Sequence, residues 1–163
     1  MITELPEIRH LLAVDAGVKT GLALYNSKGQ LLWYRSHNMG SVKNLRKAAY
    51  TLLNSIAHIE YLAVEGGGPV AQAWTREAVS LGIRIITTDA GIWRSELLTI
   101  RARRTGQEAK KNAIKIAWQL IKNSEAPSKN YPTHDAAEAI LTGLWACLKT
   151  GYLQTIPDLN KHL

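Results

Sequence analysis

Two periodicities divide the chain. Near its start, residues 11–16 (LLAVDA) form an apolar run closed by Asp15 and followed by Gly17, which is the pattern of a buried strand. Residues 21–26 (GLALYN) and 30–36 (QLLWYRS) predict two further strands separated by the turn Ser27-Lys28-Gly29. Three strands with connections this short predict an antiparallel meander. The period then changes from two to 3.6. Ser41 suits an N-cap, and Val42, Leu45, Ala49, Leu52, Leu53 and Ile56 recur at helical spacing, predicting a helix over 42–57.

Residues 60–65 (EYLAVE) form another apolar run ending on an acid, and Gly66-Gly67-Gly68-Pro69 breaks the chain. A helix over 70–81 is stopped by Gly82, and IRIITT at 83–88 gives a β-branched fifth strand. A basic segment leads into a helix over 107–123, Asn123 to Pro132 is a polar loop, and a last helix runs from His134 to Lys149. The order β-β-β-α-β-α-β-α-α predicts an α/β protein with a mixed five-stranded sheet and helices on its faces. A length of 163 residues predicts one domain, with a core over about 10–150 and a peripheral tail over 151–163.

Composition narrows the setting. Hydrophobic residues make up 46% and charged residues 20%, an ordinary globular balance that excludes a disordered chain. No apolar run reaches the length of a transmembrane helix, so no membrane partner is expected, and MITELPEIRH lacks the apolar centre of a signal peptide. The single cysteine, Cys147, excludes an internal disulfide framework and a cysteine-rich zinc site. These features predict an intracellular location, cytoplasmic or nucleoid, with an organelle left open.

The net charge is +7, which favours a polyanionic partner. It is concentrated: Arg94, Arg101, Arg103, Arg104, Lys110, Lys111, Lys115 and Lys122 face only Glu96 and Glu108, a local balance of 8 − 2 = +6. Such a run is either a solvated helix face or a phosphate-binding surface.

The acids point to chemistry. Asp15 and Glu65 close the two most hydrophobic strands, where an unpaired carboxylate is expensive. Asp135 and Glu138 stand three residues apart in HDAAEA, on one helix face beside the core-type residues Ile140, Leu144 and Trp145. Taken singly, Asp15 reads equally as a turn residue, Glu65 as a cap on the glycine-rich turn and Asp135 as a helix cap. Together they predict a convergent oxygen site, which needs hard cations, Mg²⁺ or Mn²⁺, to neutralise it.

These segments resemble the RuvC branch of the RNase H-like superfamily. LLAVDAGVKTGLALYN is similar to its first motif, YLAVEGG to its second and HDAAEAILTGLWA to its last, in order over residues 10–150. The resemblance implies an RNase H-like fold and a Holliday junction resolvase: a homodimer that nicks four-way DNA junctions symmetrically, with two Mg²⁺ or Mn²⁺ ions per site. It implies metal-binding roles for Asp15, Glu65, Asp135 and Glu138. In IWRSELLTIRARRTGQEAKKNAI it implies a catalytic lysine at Lys110 or Lys111, with Arg94, Arg101, Arg103, Arg104, Lys110 and Lys111 on DNA.

The chain also departs from the family pattern. Glu138 stands where many members carry aspartate, and Ala90 replaces a common proline. Gly66-Gly67-Gly68-Pro69 replaces a glutamine and an aromatic that wedges into the junction, which leaves Gln72 and Trp74 as substitutes. Trp74 reads equally as helix packing. His134 is either a ligand or proton shuttle, or a capping and surface residue. An RNA-processing YqgF-type nuclease, a flap nuclease and a non-catalytic branched-DNA-binding protein remain as alternatives.

Overall fold

The computed structural model describes residues 7–128 and 130–157. Its centre is a five-stranded sheet of order β3-β2-β1-β4-β5. β1 (His10–Asp15), β2 (Lys19–Asn26) and β3 (Leu31–Asn38) form the antiparallel meander; β4 (Ile59–Glu65) and β5 (Arg84–Thr88) add parallel to β1's other side. Helices α1 (Val42–Ser55), α2 (Gly68–Ser80), α4 (Gly106–Lys122) and α5 (His134–Thr150) match the four predicted segments to within a few residues.

One element was not anticipated. The basic segment after β5 contains α3 (Ala90–Leu97) and a 3-10 turn at Arg101–Arg103. The helix is only 8 residues long, too short for a hydrophobic period to stand out. Its start signal is nevertheless visible, because the Asp89 side chain accepts a hydrogen bond from the Ile92 amide.

Strand alternation decides which side chains meet which helices. Leu11 and Ala13 of β1, with Ala63 of β4, point to the layer containing α3, α4 and α5. Leu12 and Val14, with Leu62 and Val64, point to α1 and α2. Asp15 and Glu65 continue the first series, so both strand-end acids fall on the α5 side. α5 itself is buried from Asp135 through Cys147.

Two glycines let α5 lie this close to the sheet. A Cβ at Gly21 of β2 would lie 1.8 Å from the Asp135 carbonyl oxygen, and one at Gly143 would lie 2.3 Å from the Tyr25 ring. Tyr25 adds a buried hydrogen bond from its hydroxyl to the Ile140 carbonyl at 2.6 Å. Thr133, not Asp135, caps the helix by accepting from the Ala136 amide, which leaves the Asp135 carboxylate free for other partners.

The aromatic residues partly follow expectation. Trp145 is core, whereas Trp33 and Trp118 are only partly buried, and the Arg35 guanidinium lies 4.3 Å from the Trp33 ring centroid. Of the expected tail, Leu153 packs against the core; residues 158–163, with His162, lie outside the described residues. Residues 1–6, the first part of the MITELPEIRH segment, lie outside them too. Among the described residues no helix is long and apolar enough to cross a membrane.

The close approach at Gly21 yields a prediction. Gly21→Ala forces a methyl group into the α5 backbone, which has no side chain to rotate away. It is expected to cost about 3 kcal/mol, the upper range for overpacking. Urea unfolding measures this, and an unchanged midpoint would show that α5 is free to move off β2.

Candidate active site

β1 and β4 run parallel with Asp15 and Glu65 as register partners, so the two carboxylates leave the same sheet edge side by side. α5 begins above that edge and supplies Asp135 and Glu138, which are only 8% and 2% exposed. The four acids thus come from three elements that are distant in sequence.

Each acid is held differently. Glu65 accepts from the Trp93 indole N–H and the Thr142 hydroxyl, both 3.1 Å from Oε2. Asp135 Oδ2 accepts from the Ser36 hydroxyl at 2.5 Å and the Thr133 hydroxyl at 3.5 Å, with Lys19 Nζ 3.8 Å away. Glu138 Oε1 lies 2.6 Å from Arg94 Nη2 and 3.0 Å from His134 Nε2. Among the described residues, no hydrogen bond or ion pair reaches the Asp15 carboxylate.

Electrostatics follow from this crowding. Burial, then the charges of Glu65, Glu138 and Asp135, push the Asp15 carboxyl up to about 8, with Arg94 opposing the shift. Burial and the charge of Glu138 push Glu65 up to about 7, against the hydrogen bonds from Trp93 and Thr142 and the charge of Arg94.

Arg94 is therefore the cluster's own counterion. Its side chain is only 17% exposed, beside the Trp93 ring. Arg94 was expected on DNA; its partner in the structure is Glu138. Among the described residues, no three carboxylates or imidazoles converge tightly enough, as they stand, to hold one ion. The donor set still fits a hard divalent cation: it is all oxygen, and Glu138 Oε2 is buried without a partner.

The other predicted residues fall into two groups. Arg101, Arg103, Arg104, Lys110 and Lys111 are exposed, as is Gln72, and among the described residues none of the five cations is in an ion pair. Trp74 is 0% exposed and belongs to the core beneath α2. The stacking on DNA expected of it is overturned, because no face of the ring reaches solvent. His134 lies beside Glu138, with its side chain still 38% exposed.

Sequence reasoning missed Ser36, Trp93 and Thr142 as partners of the acids. Thr142 had a signal, since it lies four residues after Glu138 on the same face of an apolar helix. Ser36 on β3 had none.

The raised pKa values of Asp15 and Glu65 predict the pH dependence of stability. Both groups bind protons more tightly folded than unfolded, so between about pH 4 and 8 the cation-free protein loses stability as pH rises. Asp15→Asn removes the largest such contribution and is expected to raise Tm near pH 8 by about 4–8 °C, equivalent to about 2 kcal/mol. It should have little effect near pH 4. Mg²⁺ is expected to raise the wild-type Tm near pH 8 and to do much less for Asp15→Asn. Melting curves with no such pH-dependent difference would contradict the coupling of the four acids.

No protein-family model and no curated protein matches the sequence. Among solved structures, the fold is similar to RuvC of T. thermophilus in complex with a Holliday junction substrate. The TM-score is 0.62 at 15% identity, over 88% of this chain and 95% of that one. Similarity extends at lower TM-score to a yeast mitochondrial Holliday junction resolvase (0.47, 13% identity, 88% and 83% of the two chains). The catalytic core domain of BIV integrase follows (0.34, 11%, 85% and 81%). The mixed five-stranded sheet with helices on both faces, carrying Asp15 and Glu65 on adjacent central strands, is the RNase H-like fold in its RuvC-like form.

Proposed function

We propose that this chain is a divalent-cation-dependent endonuclease that resolves four-way DNA junctions as a homodimer. The observation that carries the reading is the buried gathering of Asp15, Glu65, Asp135 and Glu138, in which the central Asp15 carboxylate meets no partner among the described residues. A structural role would pair that group, since burying an uncompensated charge costs several kcal/mol or forces protonation. The fold shared with a protein solved on a Holliday junction substrate supports branched DNA as the substrate class.

The four acids would hold Mg²⁺ or Mn²⁺, which would neutralise them and stabilise the attacking and leaving oxygens of a phosphodiester. The chain's own residues prepare this. Trp93 and Thr142 fix one oxygen of Glu65, and Ser36 fixes one of Asp135, so these carboxylates lose little freedom when they bind. Arg94 orients Glu138 through their ion pair, and its release would free a guanidinium for a phosphate.

In this reading Arg101, Arg103, Arg104 and Lys111 hold flanking phosphates, Gln72 contacts the DNA, and Lys110 supplies positive charge to the reacting phosphate. A junction cut symmetrically on two strands needs two sites, hence a C2 dimer.

Two experiments test the reading. With Mg²⁺, the wild type is expected to nick a synthetic four-way junction at two symmetric positions. Asp15→Asn is expected to bind the junction without cutting it. Cutting by Asp15→Asn would refute the site; tight junction binding with no cleavage of junction, flap or hybrid by the wild type would leave a non-catalytic binder.

Salt dependence tests the basic flank. Removing one cation that neutralises a phosphate should lower the slope of log affinity against log salt by about 1. Arg103→Ala with Arg104→Ala is therefore expected to flatten the slope by about 2. An unchanged slope would make these arginines a solvated surface.

A further inference from the structure

An open groove of about 350 Å³ runs between edge strand β3 and the segment ahead of α5. Tyr34, Arg35, Ser36, Tyr131 and Thr133 line it. Its inner end touches the acid cluster, since Ser36 and Thr133 both donate to Asp135 Oδ2. Tyr131 lies along the same groove and stacks on Trp118 with centroids 4.8 Å and planes 25° apart, yet Tyr131 is 63% exposed. Trp118 is packed against the core, so the pair is a rigid base under an outward aromatic face.

A ring whose whole task was to pin the loop would bury more of itself than this. Among the described residues, no hydrogen bond reaches the Tyr131 hydroxyl, so the ring is not fixed by its polar end. The groove contributes hydroxyls, while the Arg35 side chain, lying over Trp33, leaves β3 on the opposite, α1/α2 face. Hydroxyls beside an exposed aromatic platform suit a single nucleic-acid strand, whose base the ring takes.

We propose that Tyr131 is a stacking platform for one unpaired base of the strand that enters the acid cluster. This deepens the nuclease reading and rests on it. A base inside an intact duplex offers no free face, so such a platform selects strands that are open beside the reacting phosphate. It also supplies an aromatic contact to DNA that buried Trp74 cannot provide.

The test uses the full chain carrying Asp15→Asn, with Mg²⁺, so that binding is read without cutting. The probes are a four-way junction and a single-stranded oligonucleotide, each with 2-aminopurine moved along one strand. Saturable quenching is expected at one position. Adding Tyr131→Ala should abolish that quenching and weaken binding about tenfold, or 1.4 kcal/mol, while Tyr131→Phe keeps both. Unchanged quenching and affinity in Tyr131→Ala would overturn the platform and leave the nuclease reading standing. A loss as large in Tyr131→Phe would assign the effect to the hydroxyl and also overturn stacking. Failure of the Asp15→Asn parent to bind either DNA would overturn the platform and the nuclease reading together.

Discussion

Four carboxylates held in one largely buried place repel one another, and that repulsion organises the site. The first consequence is proton uptake, with the Asp15 carboxyl raised to about 8 and Glu65 to about 7. The second is the resident counterion, Arg94, brought from α3 into contact with Glu138. The third is an unpartnered buried oxygen, Glu138 Oε2, which neither Arg94 nor His134 satisfies. A proton and a guanidinium thus compete for the same negative charge, and under the proposed function a divalent cation would join them.

The rest of the fold makes that arrangement stiff. Parallel pairing of β1 with β4 fixes the spacing of Asp15 and Glu65. Gly21 allows the first turn of α5 to touch β2, and Gly143 allows the same helix to lie on Tyr25 further along. Helix α3 then places Trp93 against Glu65 and the neighbouring Arg94 against Glu138. Two successive residues of one short helix thereby reach acids from a strand and from a helix. Interiors packed this closely resist adjustment, so the acids cannot simply move apart to relieve their charge.

Much of this was legible in the sequence because it is written in local patterns. Apolar runs ending on Asp15 and Glu65 located two central strands and two of the clustered acids at once. The three-residue spacing of Asp135 and Glu138 placed both on one face of the last helix. What was not legible depends on tertiary contact. Arg94 lies within a basic run and looks like its neighbours; only the packing of α3 distinguishes it from exposed Arg101 and Arg103. Ser36 reaches Asp135 across 99 residues of chain, and no spacing rule covers that. Trp74 was open to a better reading, since Ala71, Trp74 and Ala78 follow the helical period and all three are buried.

The most direct measurement of the central claim is a crystal structure of the protein soaked in Mn²⁺ near pH 8, with the metal located by its anomalous signal. The account predicts density among the carboxylates of Asp15, Glu65, Asp135 and Glu138, with Glu138 turned from Arg94 toward the ion. An intact Arg94–Glu138 pair at saturating Mn²⁺, with no anomalous peak beside Asp15, would contradict it.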